Sequence, residues 1–219
     1  MIRTVPALRR TCSIFLCAAA LTLVFASTGC KSTASKSSDM QSEFAAADVR
    51  AREARELFIK ADRLRKDGKT SEAVDMYRQS LVLDTSNSAA WHNLGTLLIE
   101  QKDYMGAAGA LRTAADLAPT DARPLENLGL TYHRAGYDDQ ALKYYMESLG
   151  RDPNWIGSIR GVAMCSYRLN RANEQILEIL SRGQMLERDD SWSNMIRRER
   201  IRVNEQLKAE KDALRREGK

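Results

Sequence analysis

Residues 91–153 read WHNLGTLLIEQKDYMGAAGALRTAADLAPTDARPLENLGLTYHRAGYDDQALKYYMESLGRDP, and one pattern occurs twice in them at a shift of 34. Trp91 falls on Leu125, Leu94 on Leu128, Gly95 on Gly129, Ala107 on Ala141, Leu111 on Tyr145, Ala114 on Ser148 and Pro119 on Pro153. The pattern extends both ways. Leu57, Ala61, Leu64, Ala73, Tyr77 and Ser80 stand 34 residues earlier; Ile159, Val162, Ala163 and Ile179 continue it, and Ser166 breaks the column of Leu64, Leu98 and Tyr132. Within each copy the apolar residues recur at helical spacing. The small columns let helix backbones approach, and the large columns fill the gaps. Gly68, Gly136 and Asn170 fall where two helices must turn through a left-handed backbone. Pro119 and Pro153 lie between copies, where no helical N–H is needed, and Pro124 sits in a first helical turn. The expected fold is all-α. One helix pair cannot bury its own apolar face, so the pairs stack.

These residues resemble the tetratricopeptide repeat family, whose 34-residue pattern is W-x2-L-G-x2-Y…A-x3-F…A…P. The register gives units 54–87, 88–121, 122–155 and a degenerate 156–189. Lys60 departs from the pattern in the first unit, and Gln175 and Arg182 depart from it in the last. The resemblance implies a right-handed superhelix of antiparallel helix pairs with a flanking helix at each end. The repeat domain is expected over 42–189. Glu43–Lys66 is expected to form one long helix whose Ala45, Ala46, Val49 and Ala54 pack back as a cap. A charged capping helix is expected over 190–219, with Ser191 as its N-cap and an apolar stripe of Trp192, Met195, Ile196, Val203 and Leu207.

The N-terminus has another character. Arg3, Arg9 and Arg10 precede an apolar run from Cys12 to Ala26, too short to span a bilayer, and residues 1–29 contain no acid. Ser27-Thr28-Gly29-Cys30 resembles a bacterial lipobox, with Ser27 where Leu is usual. That resemblance implies a lipoprotein signal peptide over 1–29 and lipidation of Cys30. A plain secretory signal and an uncleaved anchor are the alternatives. The Ser- and Lys-rich stretch after Cys30 is expected to be a flexible tether over 30–41. Lys31 after the cysteine resembles an outer-membrane lipoprotein facing the periplasm, if the cell is Gram-negative.

Charge and cysteine usage narrow the function. The net charge of +5 owes three units to the N-terminal arginines; residues 30–219 carry 31 basic against 29 acidic residues, no footprint for nucleic acid. With Cys12 and Cys17 in the signal and Cys30 acylated, Cys165 is left alone and is expected to be buried. His92 and His133 have no metal-ligand spacing around them, and no nucleotide-binding or hydrolase motif is present. The expectation is no catalytic residue, no metal, no cofactor and no small-molecule substrate. Met76, Met105, Met146, Met164, Met185 and Met195 are expected in the core. Arg197, Arg198, Arg200 and Arg202 suit anionic lipid or an acidic partner, or simply a solvated face with Glu199 interleaved.

In the family, partners lie in a concave groove lined by the first helices. Carried over by register, that groove consists of His92, Asn93, Thr96, Arg123, Asn127, Leu130, His133, Arg134, Arg160, Tyr167 and Arg168. Asn93 and Asn127 take the position whose Asn often bonds a bound peptide backbone. Arg123, Arg134, Arg160 and Arg168 against Glu126 alone in the third and fourth units imply a mildly basic groove. Phe58 and Asp62 stand where the family's carboxylate clamp needs Lys and Asn, so that clamp is not expected. The resulting expectation is a non-catalytic cell-envelope scaffold that binds a protein or peptide. The alternatives are a pilotin-like assembly factor for a type IV or tight-adherence pilus or secretion system, and an adaptor for a cell-wall enzyme.

Overall fold

The computed structural model describes residues 32–217. The chain divides into two compact units, residues 1–43 and Phe44–Lys219. Described residues of the first unit are helical. The second unit carries the rest of the chain. The elements are α1 (Ser32–Lys66), α2 (Thr70–Leu83), α3 (Ser88–Glu100), α4 (Tyr104–Leu117), α5 (Arg123–Arg134), α6 (Asp138–Arg151), α7 (Ile156–Arg168), α8 (Glu174–Leu186) and α9 (Asp190–Arg216). No strand occurs among the described residues.

Each helix from α2 to α9 packs on the next. Further contacts join α3 to α5, α5 to α7 and α7 to α9, with no comparable contact between second helices. The first helices are therefore the closer-spaced layer, and α9 takes the place of a fifth first helix. A stack whose layers differ in spacing curves toward the closer one. That is the superhelical order expected from the period.

The turns repeat as strictly as the core. Lys69 N–H donates to Leu64 O, Asp103 to Leu98, Tyr137 to Tyr132 and Arg171 to Ser166, a six-residue closure recurring every 34 residues. The residue before each donor has positive φ: Gly68 at 73°, Lys102 at 62°, Gly136 at 86° and Asn170 at 48°. Lys102 is the position that the glycine pattern did not reveal. A side chain in that conformation costs about 1–2 kcal/mol. Lys102→Gly is therefore expected to raise stability by roughly 1 kcal/mol after the entropy of glycine is deducted, read as a higher urea midpoint at an unchanged m-value.

The small columns are buried as packing requires: Ala61, Ala73, Ala107, Ala114, Ala141 and Ala163 have no exposed surface. Serine in the third small column does more than fit. Ser80 Oγ donates to Ala54 O at 2.8 Å, and Ser148 Oγ donates to Ala122 O at 3.0 Å, two units apart. These bonds tie the end of a second helix to the start of its own first helix.

Three expectations about the flanks need correction. α1 begins at Ser32, inside the stretch expected to be a flexible tether. Residues 31–66 contain neither Gly nor Pro, so a helix anchored by packing at Ala54 and Ala61 can extend outward one hydrogen bond at a time. For the same reason it does not fold back: Ala45, Ala46 and Val49 are exposed, and of the expected cap only Ala54 is buried. At the other end the N-cap is Asp189, whose side chain accepts from Trp192 N–H at 3.0 Å, so α9 starts before Ser191. Ile196 and Val203 of its stripe are fully buried. Met105 and Met185 are exposed and do not belong to the core.

Candidate functional site

The first-helix face holds the residues assigned to a groove, and the structure uses most of them internally. Asn93 Nδ2 donates to Tyr77 Oη at 3.1 Å and to Asp62 Oδ1 at 3.3 Å. Tyr77 donates to the same carboxylate at 2.6 Å, and Arg65 reaches it at 3.2 Å. The Tyr77 bond and the Arg65 charge hold Asp62 below the usual carboxylate range, while burial and Asp62 push the phenol up to about 12. One unit on, Asn127 Nδ2 donates to Thr96 Oγ1 at 3.2 Å, and Thr96 donates to His92 O at 3.0 Å. Both asparagines thus cross-link neighbouring units through their amide nitrogens, which leaves the amide oxygens for any partner. His92 is half-buried with Nδ1 unpartnered; burial, then the Arg123 charge, push its imidazole below the usual range.

The predicted basic character is largely cancelled. Arg123 grips Asp121 through Nη2 at 2.7 Å and Nε at 3.0 Å; Arg160 grips Glu187 at 2.7 and 2.8 Å; Arg168 Nε lies 2.9 Å from Asp138. Glu126, the acid on the first helices of the third and fourth units, accepts from Trp155 Nε1 at 3.0 Å. Arg134 is exposed and stands without a carboxylate partner among the described residues. Counting charge along first helices missed acids supplied by inter-unit loops and by the start of α6. Leu130 is half-buried beside Arg134, and Tyr167 is 65% exposed. The groove therefore has a short apolar and cationic stretch along α5 and α7 rather than a basic track.

Glu187 is the tightest of these pairs. Its side chain is 2% exposed, and it also accepts from the backbone N–H of Arg188 and Asp189, both at 2.9 Å. The Arg160 bonds, ahead of those two, hold its pKa down at about 2. A carboxylate whose folded pKa is depressed adds stability above its unfolded value near 4.5, and that stability is lost as pH falls toward 2. Arg160→Met is expected to lower stability by roughly 2 kcal/mol at pH 7. Thermal melts of the two proteins should converge as pH drops from 5 to 2, where the pair no longer contributes.

The structure also joins residues that sequence spacing kept apart. His133 Nδ1 lies 2.6 Å from Asp138 Oδ1 and 3.9 Å from Cys165 Sγ, which comes from the next unit. These three side chains offer ligand atoms within 4.8 Å of one another, correcting the expectation that nothing surrounds the histidines. Their geometry is that of an internal network. Arg168 already compensates Asp138, and Cys165 is fully buried, with burial, then the Asp138 charge, pushing its thiol up to about 12. A nucleophile–base–orienter relay uses opposite nitrogens of the imidazole, whereas here both neighbours address Nδ1.

Residues 60–122 and 92–154 match the sequence model of the tetratricopeptide repeat family. Residues 60–154 are tetratricopeptide repeats. A tetratricopeptide repeat protein 8 from Caenorhabditis elegans is 34% identical over 67 residues, 31% of this chain and 13% of that protein. Among solved structures, MamA from Desulfovibrio magneticus is similar, with a TM-score of 0.56 at 23% identity over 63% of this chain and 77% of that one. The first tetratricopeptide domain of Spaghetti (RPAP3), bound to an HSP90 peptide, superposes with a TM-score of 0.53 at 21% identity, over 55% of this chain and 96% of that domain. At these identities the structures share the fold. The tetratricopeptide stack is a protein-interaction fold, and its members generally act as non-catalytic scaffolds. Cys30 and the segment expected to be a signal peptide lie outside the described residues, and no described helix is long and apolar enough to cross a membrane.

Proposed function

We propose that this chain is a non-catalytic scaffold of the cell envelope, held to a membrane by a lipid on Cys30 and binding a partner protein along its first helices. The observation that carries the binding reading is the closer-spaced first-helix layer, on which Arg134 and Tyr167 are exposed without a side-chain hydrogen bond or ion pair among the described residues, and Leu130 is half-exposed beside them. The HSP90 peptide held by the RPAP3 domain supports a peptide as the kind of ligand. Attachment is supported by the basic, apolar and Ser-Thr-Gly-Cys succession at the N-terminus. Acyl chains hold a protein to a bilayer at about 0.8 kcal/mol per buried methylene, so more than one chain makes a stable anchor.

Two experiments test the two halves. Pull-down from membrane extracts is expected to recover a partner with the wild type and to lose it with Arg134→Glu/Tyr167→Ser. An unchanged partner set would reject the first-helix face. Metabolic labelling with a fatty-acid analogue is expected to mark the wild type and leave Cys30→Ser unlabelled; equal label in both would reject lipidation there.

A further inference from the structure

α9 does more than close the stack. Where it lies against α7, a cavity of about 330 Å3 opens, lined by Tyr167, Ser191, Asn194, Met195, Arg198 and the Glu199–Arg202 pair. That is at the small end of the roughly 300–1,000 Å3 typical of ligand pockets, enough for one large side chain and its adjoining backbone.

The chemistry of the lining is specific. Arg202 is fully committed: it donates to Glu199 at 2.6 and 2.9 Å, to Asn170 Oδ1 at 2.8 Å, to Gln206 Oε1 at 2.9 Å and to Arg171 O at 2.9 Å. Glu199 is engaged at both oxygens: Oε2 accepts from Arg202, and Oε1 accepts from Arg202 and from the buried Ser166 hydroxyl at 2.8 Å. The pair is therefore neutral and fixes the wall between α7 and α9. Arg198, one residue away, is exposed and has no carboxylate partner among the described residues. The Tyr167 hydroxyl, the Asn194 amide and the Ser191 hydroxyl are equally free to bond a ligand. The cavity thus combines an apolar floor, one uncompensated cation and several neutral hydrogen-bonding groups on a rigid wall.

Resting on the reading of the first-helix face as a binding surface, we infer that this pocket takes a peptide carrying a bulky apolar side chain next to a carboxylate. The apolar side chain lies on Tyr167 and Met195, the carboxylate pairs with Arg198, and Asn194 and Ser191 bond the peptide backbone. A single cation beside neutral amide and hydroxyl groups suits a peptide better than a lipid surface, which calls for several cations at once. Arg–carboxylate recognition is favoured by the planar guanidinium and is sensitive to salt when solvent-exposed.

The test uses the full-length protein and three fluorescent decapeptides: one with a single Phe flanked by two Glu, one with those Glu replaced by Lys, and one with the Phe replaced by Ser. Fluorescence anisotropy is expected to show saturable binding of the first peptide, at least tenfold weaker binding of the other two, and at least tenfold loss on Arg198→Glu. Tyr167→Ser is expected to weaken the first peptide without changing its preference over the Lys version. Both substitutions lie at exposed positions, so circular dichroism should show unchanged melting. No binding of the acidic peptide, equal binding of the basic one, or unchanged affinity in Arg198→Glu would overturn the inference. So would Arg198-dependent binding to phosphatidylglycerol vesicles with no peptide binding. If Arg198→Glu keeps the cellular partner that Arg134→Glu/Tyr167→Ser loses, the pocket is refuted and the wider scaffold reading stands.

Discussion

Arg202→Leu is expected to destabilise the protein by about 3–5 kcal/mol, a large part of the roughly 5–15 kcal/mol that holds a domain together. Arg202 is 26% exposed at its side chain, but the Glu199 carboxylate it faces is 2% exposed. Removing the guanidinium leaves that carboxylate with Ser166 Oγ as its remaining donor in a site that water barely reaches. The same substitution releases the bonds to Asn170 and to the Arg171 carbonyl, which tie α9 to the α7–α8 turn. The reverse truncation is milder. Glu199→Gln keeps an acceptor for Ser166 and leaves Arg202 its other acceptors and some solvent, so about 1–2 kcal/mol is expected. A buried pair replaced as a whole by apolar residues loses less than a pair broken in half. Glu199→Leu/Arg202→Leu should therefore be more stable than Arg202→Leu alone. Urea titration of the three variants checks the order; a double variant less stable than both singles would contradict the account of the pair.

Gly161→Leu is the second large effect, expected to lower stability by about 3 kcal/mol or more through overpacking. A Cβ at Gly161 would meet the Tyr145 ring at 2.4 Å, and one at Gly129 would meet the same ring at 2.7 Å. Tyr145 is 2% exposed, wedged between α5 and α7 where two glycines leave it room. Buried on every side, the ring has nowhere to swing. Tyr145→Ala alone should cost about 3–5 kcal/mol by opening a cavity. Combining the two changes puts new volume where old volume was lost, so the double variant should be more stable than the sum of the single losses predicts. Such coupling is the signature of direct contact, and thermal melts of the four proteins measure it. Strict additivity would mean that the ring and the glycine do not share the interface between the helices.

The Gly129, Tyr145 and Gly161 wedge also shows how far the sequence carries. Gly129 and Tyr145 belong to columns that recur every 34 residues, so their burial was legible before any coordinates. The fold follows from such columns because backbone approach depends on side-chain size, which a sequence states directly. Lys102 was not legible: three of the four turn positions carry Gly or Asn, and the fourth tolerates strain that composition does not announce. The charge of the groove was misjudged for a different reason. Arg123, Arg160 and Arg168 find Asp121, Glu187 and Asp138 outside the first helices, two of them in loops between helices, and pairing across loops has no period. Glu199 looked like one acid in a solvated basic helix, because nothing local tells that its face turns toward Ser166 33 residues earlier. Long-range pairing of polar groups is the part that a repeat pattern leaves open.

The central claim, that the closer-spaced first helices form the surface that holds another polypeptide, is tested most directly by photocrosslinking in living cells. A photoreactive residue placed at Arg134 or Tyr167 on the first helices is compared with one at Val82 or Met105 on the second helices, 81% and 89% exposed. Adducts to one shared partner are expected from Arg134 and Tyr167 and not from Val82 and Met105. Adducts that form from the second helices alone, or from all four positions alike, would contradict it.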